Sequence, residues 1–461
     1  MNLPDTSSTD LVRPRTPSLL FDEAWYLDRY PDAAGSDLDP LSYYLDVGDA
    51  AGHFPHPLFD SDFYSEQHPD LAREGGARLR HYVDVGEKSG SWPSRLFDPR
   101  FYREQNPDLE VYPGTLLDHF HRFGAAELRS PNPLFDPSQY CDQRAHSDEA
   151  LSHPLLDYLG YGDAAGLAPH PLFDPTHYGA QHPGLPEKGG ARLAHYLAAG
   201  EESRSDPHPL FRAHFYVERC DHFAGSGDPP LVHYLKHGEA QRCFPNPLFD
   251  PVFYLDANPD LKGIDSLLAH YAAFGSHEGR SPNVCFSPDF YLAQVRDPAV
   301  TKRDVLLHYL EGGEREGLLP HPLFDPDYYG EQDPDLEGSG GSLLGHYLQF
   351  GHRVEMSPHP LFQPAYYVSQ LTSAPAPGKN LLVHYLEGGA SQSLKPNPLF
   401  DPTHYRTRAD TAGSVPLEHY AAWGGKAGVS PSALFDAAWV TAQMPPHARK
   451  RMGPLDYYLR M

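Results

Sequence analysis

Residues 246–282 read N-P-L-F-D-P-V-F-Y-L-D-A-N-P-D-L-K-G-I-D-S-L-L-A-H-Y-A-A-F-G-S-H-E-G-R-S-P, and this stretch decides the fold. Asp250 followed by Pro251 is a helix start: the carboxylate accepts from unpaired backbone N–H groups, and proline is pre-organised for the first helical position. Phe253, Tyr254 and Leu255 fill a short helix expected to stop near Asn258–Pro259, because proline disfavours helix in the residue before it. Leu267, Leu268, His270, Tyr271 and Phe274 then repeat with the spacing of one buried helical face. Gly275 falls where a left-handed C-terminal cap is expected. The Pro-, Gly- and Ser-rich remainder is a connection to the next such stretch.

Working outward, the same pattern fills the chain. Its anchor phenylalanine recurs at Phe21, Phe59, Phe97, Phe135, Phe173, Phe211, Phe249, Phe286, Phe324, Phe362, Phe400 and Phe435. A tyrosine follows each anchor by five residues, as in Tyr64 and Tyr254, with Val440 the exception. A His-Tyr pair comes next in most copies, such as His81–Tyr82 and His270–Tyr271, and then a glycine such as Gly86 or Gly275. The positions that define the unit are therefore Phe59, Asp60, Tyr64, His81, Tyr82 and Gly86 in one copy, and Phe249, Asp250, Tyr254, His270, Tyr271 and Gly275 in another. A unit of ~38 residues cannot bury its apolar face alone, so neighbours must stack. The expectation is an all-α fold: a curved or superhelical α-solenoid of about twelve helix–turn–helix repeats. Residues 17–461 form the continuous array, with the last unit a terminal cap carrying Arg449, Lys450 and Arg451. Residues 1–16 are expected to be a flexible, unpatterned segment.

The 62 acidic against 36 basic residues give a formal net charge of −26. Nucleic acid and anionic membrane surfaces call for basic patches, so neither is an expected partner. There is no run of apolar residues long enough for a transmembrane helix, and no membrane insertion is expected. The opening residues show no charged-then-apolar signal pattern. Cys141, Cys220, Cys243 and Cys285 fall at unrelated repeat positions, which is not a disulfide framework; a cytoplasmic location is the expectation. The 49 prolines and 40 glycines recur at fixed positions and mark turns.

Catalysis needs residues that break a pattern and converge. The chain repeats its residues instead and carries no phosphate-binding loop, no nucleophile elbow and no H-E-x-x-H or paired C-x-x-C motif. It is expected to be non-catalytic, with no cofactor and no metal. The histidines fall into two sets. Nine stand in the His-Tyr pair, where Tyr43, Asp157 and Tyr457 replace them; His56, His170, His208, His321 and His359 precede Pro-Leu-Phe, where Asn132, Asn246 and Asn397 replace them. Interchange with asparagine argues for hydrogen bonding rather than metal ligation, and each imidazole is expected to bridge backbone groups. A His-rich metal-binding protein stands as a distant alternative.

The unit resembles a bacterial tandem repeat of the form F-D-x-x-Y-L-x-x-N-P-D, a variable stretch, then H-Y-x-x-x-G-x-x-E-G-R-x-P-N-P. Phe249-Asp250, Tyr254-Leu255, Asn258-Pro259-Asp260, His270-Tyr271, Gly275 and Glu278-Gly279-Arg280 carry the resemblance. Such repeats also occur attached to bacterial glycosyltransferases and other proteins of surface-polysaccharide assembly. The resemblance implies a repeat scaffold that binds protein partners, with a link to polysaccharide biosynthesis; a carbohydrate-binding module is the alternative, with a glycan as ligand. Solvent-facing aromatics aligned along the array would favour the second. Arg212, which replaces the capping aspartate, and Val284-Cys285, which replace Pro-Leu, mark departures at which a partner could engage.

Overall fold

The structure is a computed structural model describing residues 20–461, apart from 75–77, 145–150, 302–304, 337–340, 352–355, 374–379 and 412. The expected flexible segment 1–16 lies outside the described residues. The chain divides into two compact units, Met1–Gly238 and Glu239–Met461. Each is all-helical, and among the described residues there is no strand; backbone pairing is limited to isolated bridges such as His56 with Phe59.

In the repeat quoted above, the first helix is Pro251–Ala257, capped by Asp250, whose Oδ1 accepts from the N–H groups of Val252 and Phe253. A 3-10 turn, Pro259–Leu261, follows. The second helix begins as an α-turn, Leu267–His270, and closes as a π-turn, Tyr271–Gly275, in which Ser276 N–H donates to the Tyr271 carbonyl. The expected second helix is therefore present, with its last turn widened.

The position of left-handed backbone differs from expectation. Gly275 has no positive φ; the left-handed residue stands four positions later, at Gly279, with φ 73°. Leu128, Arg242 and Ser393 hold the same register with φ of 57°, 61° and 59°, so glycine is favoured there and not obligatory.

Each repeat but the last, where Val440 replaces the tyrosine, has a core of three rings. In the second repeat Phe59 and Tyr64 lie 5.3 Å apart, Phe59 and Tyr82 5.6 Å, and Tyr64 and Tyr82 meet edge to face at 5.9 Å. Phe249, Tyr254 and Tyr271 repeat the arrangement at 5.2, 5.5 and 5.7 Å. All six side chains are fully buried. Burying an aromatic of this size contributes roughly 1.5–3 kcal/mol, which one short unit could not realise without its neighbours.

Neighbouring repeats are joined by recurring bonds. The N–H of the capping aspartate donates to the proline that ends its own repeat, at the junction with the next, as from Asp60 to the Pro93 carbonyl at 2.9 Å and from Asp250 to the Pro282 carbonyl at 3.0 Å. A glutamine on the first helix clamps the following connection in both directions: Gln67 accepts from Trp92 N–H and donates to its carbonyl. The asparagines before Pro-Leu-Phe reach backward, Asn132 to the Leu96 carbonyl and Asn397 to that of Leu361. Longer contacts wind each unit on itself. In the second unit His321 bonds Glu418, 97 residues on, and Asp325 pairs with Arg460, 135 residues on. Repeats well separated in sequence thus meet within the second unit.

Candidate functional site

The recurring polar residues come together as a knot. The Tyr64 hydroxyl is 2.7 Å from His81 Nδ1, and the Tyr254 hydroxyl is 3.0 Å from His270 Nδ1. Each hydroxyl also lies against the repeat glycine: a β-carbon on Gly86 or Gly275 would overlap it. That close approach is why glycine stands there, in place of the left-handed cap expected. Burial, and then Arg280, lowers the affinity of His270 for a proton. Burial raises the Tyr64 and Tyr254 hydroxyls above the ordinary phenol range.

The exceptions show what the imidazole is for. Where Tyr43 replaces it, His53 swings in from further along the chain and bonds the Tyr26 hydroxyl at 2.9 Å. Where Asp157 replaces it, Tyr140 donates to that carboxylate at 2.5 Å. The expected backbone bridge is therefore corrected for this set: its Nδ1 serves a tyrosine hydroxyl. The second set does bond to backbone, but to one group each rather than as a bridge between two. Nδ1 of His56, His170, His208, His321 and His359 accepts from the leucine N–H two residues on, and Asn132 and Asn397 do the same with Oδ1.

A third element was not anticipated. The acidic residue directly after the repeat glycine reaches into the next repeat. Glu87 accepts from the Tyr82 hydroxyl at 3.0 Å and from Leu116 N–H, at the start of the next second helix, at 2.7 Å. Glu314 does this for Leu343 and Leu344, and Asp163 for Gly190. Part of the acidic excess is thus internal, at helix N-termini where negative charge is favoured. The signal was present in Gly-Asp and Gly-Glu pairs, but the partners lie 27–30 residues away.

Departures from the pattern are repaired locally. Arg212 cannot cap its helix, and Asp206 does so instead, accepting from Ala213 N–H at 2.8 Å and pairing with Arg212 at 2.9 Å. Cys285, at a Pro-Leu departure, is fully buried. The expectation about cysteines is corrected as well: Cys220 and Cys243 are disulfide-bonded, while Cys141 and Cys285 are free thiols.

With the polar groups so engaged, one register recurs among the exposed large apolar residues, the residue before the repeat glycine. In the first unit it presents Val47, Val85, Phe123 and Tyr161, exposed by 44, 51, 44 and 52%. In the second unit it presents Phe274 and Trp423, exposed by 58 and 64%. The knot histidine sits beneath several of these rings: His119–Phe123, His270–Phe274 and His419–Trp423 are 5.7, 5.9 and 6.0 Å apart. Arg122 and Arg144 lie over Phe123 and Tyr161, 5.2 and 4.4 Å from the ring centres. The second unit also holds a polar cavity of about 440 Å³, lined by Asp325, His359, Lys426, Lys450, Asp456 and Arg460 among others.

Among the described residues no group of three His, Cys, Asp or Glu side chains is placed to hold a metal ion, and no helix is long and apolar enough to cross a membrane. No family model, curated protein or solved structure matches the chain.

Proposed function

We propose that the chain is a non-catalytic repeat scaffold that binds protein partners through the register of exposed apolar residues preceding each repeat glycine. The observation that carries this reading is the row Val47, Val85, Phe123 and Tyr161, one residue from each of four successive repeats, each about half exposed. Apolar and aromatic side chains presented in series are what interaction surfaces concentrate. The recurring Tyr, His, Asp and Gly positions are committed to holding the repeat together and are poorly placed to act on a substrate. Net charge of −26 favours a partner with a basic face.

The carbohydrate-binding alternative is favoured by the same row, because exposed aromatic rings can stack on sugar faces. The resemblance of the unit to repeats found with glycosyltransferases supports a role beside bacterial surface-polysaccharide synthesis under either reading. Cytoplasmic residence is weighed against by the disulfide-bonded state of Cys220 and Cys243, since disulfides persist in oxidising compartments.

The test is co-purification from native cells with the wild-type chain and with a Phe123→Ser/Tyr161→Ser variant. Stoichiometric proteins recovered with the wild type and lost with the variant support the scaffold. Partners retained equally by both sink the proposed face. Saturable glycan binding lost with the variant, without any protein companion, moves the reading to the carbohydrate module.

A further inference from the structure

Three histidines of the first unit, drawn from three different registers, pack against one another. His56 stands before Pro57-Leu58-Phe59; His121 follows Phe120 in the second helix of the third repeat; His153 caps the second helix of the fourth. The rings of His56 and His121 meet edge to face at 4.4 Å, and those of His121 and His153 are 5.6 Å apart. His121 is the departure that creates the contact. Its register elsewhere holds Leu45, Val83, Leu159, Leu197 and other aliphatic residues, so an imidazole stands where the repeat places a hydrocarbon.

The hydrogen bonds of the cluster fix where a further proton must go. His56 Nδ1 accepts from Leu58 N–H at 3.0 Å, and His153 Nδ1 accepts from Leu156 N–H at 3.2 Å. The remaining proton of each ring is therefore on Nε2, and both Nε2 atoms are buried without a partner, as is His121 Nδ1. A second proton on His56 or His153 can attach only at Nδ1. It would replace an accepted bond by two donors facing each other, breaking the turn before the second repeat and the cap of the fourth repeat's second helix. Two or three cations would then stand side by side, one fully buried and the others half-buried.

The charged groups acting on the cluster are few. Asp22 and Asp118 favour a proton on His121, and Arg122 opposes it; for His56 the acting groups are the other two imidazoles, and for His153 it is His121. We propose that His56, His121 and His153 form an acid-sensitive latch, whose protonation opens the seam between the entry to the second repeat and the third and fourth repeats. Burial, as the first cause, lowers all three proton affinities, that of His153 to about 4. The folded affinities lie below the unfolded value, so the latch is closed above about pH 6.5 and loses hold as pH falls toward the folded values.

The array itself supplies conservative replacements. Asn132 does the work of His56 at the equivalent turn, Thr115 caps as His153 does, and leucine fills the register of His121. Amide hydrogen exchange of the full chain, corrected for intrinsic rates, is followed at pH 7 and pH 5 in peptides covering 54–60, 116–124 and 153–158. The wild type is expected to lose at least about tenfold of its protection at pH 5, the change expected when a single group titrates one unit lower in the folded state. A His56→Asn/His121→Leu/His153→Thr variant is expected to hold its protection, and the single His121→Leu variant to lose less than the wild type. Equal loss in wild type and triple variant overturns the latch. Saturable Zn²⁺ uptake at neutral pH by the wild type and not by His121→Leu also overturns it, because the cluster is then a metal site.

Discussion

The hydroxyl of Tyr254 rests on the α-carbon of Gly275, leaving no room for a side chain there, and this contact rather than backbone dihedral freedom explains the repeat glycine. Gly275→Ala is therefore expected to cost about 3 kcal/mol, at the upper end for overpacking a tight site. Gly279→Ala, at the left-handed position with open space around it, is expected to cost about 1 kcal/mol. Adding Tyr254→Phe to Gly275→Ala should recover part of the loss, since the overlapping oxygen is removed. Urea unfolding of the three variants decides; equal costs at Gly275 and Gly279 would contradict the contact.

Removing the Glu87 carboxylate by Glu87→Ala strips the acceptor from Leu116 N–H, and a buried donor left unpaired costs about 1–3 kcal/mol. Thermal unfolding of this variant should show a lower midpoint, with increased amide exchange at the start of the Leu116–His119 helix. Unchanged exchange there would show that the carboxylate does not cap.

Asp206 stands in for the aspartate missing at Arg212. Asp206→Ala is expected to destabilise by about 1 kcal/mol, as loss of a helix N-cap does. Arg212→Ala should cost less, because the Ala213 N–H bond survives it. Denaturant midpoints of the two variants give the order, and a larger loss for Arg212→Ala would reverse the assignment.

Thiol chemistry distinguishes the four cysteines. In native, non-reduced protein Cys141, half-buried, is expected to react with a thiol reagent, while Cys285, fully buried and with its thiol raised well above its usual range by that burial, is not. Denaturation without reductant should expose two thiols and reduction four. Four cysteines blocked by an alkylating reagent present at lysis, before any reduction, would restore the reducing compartment.

The unit was legible from sequence because its core positions are spaced by helix geometry: Phe59, Tyr64 and Tyr82 declare themselves by interval alone. The capping role of Asp60 was legible for the same reason, since its acceptor function is local. What escaped were relations set by approach across space. Nothing in the string Tyr271 to Gly275 distinguishes a widened last turn from an α-turn. Glu87 and Leu116 are separated by a whole connection, so their bond leaves no local trace. His56, His121 and His153 occupy three unrelated registers, and only winding of the repeats brings them within ring contact.

The register before the glycine has one further consequence. Val47, Val85, Phe123, Tyr161, Ala199, His237, Phe274, Gly312, Phe350, Gly388 and Trp423 occupy it in eleven of the repeats, with no one residue type held throughout. The side chains that hold each repeat together sit elsewhere, so this position can change its chemistry without disturbing the fold. Each repeat therefore carries one freely variable side chain on a recurring frame, and under the proposed function a change there would alter one contact at a time.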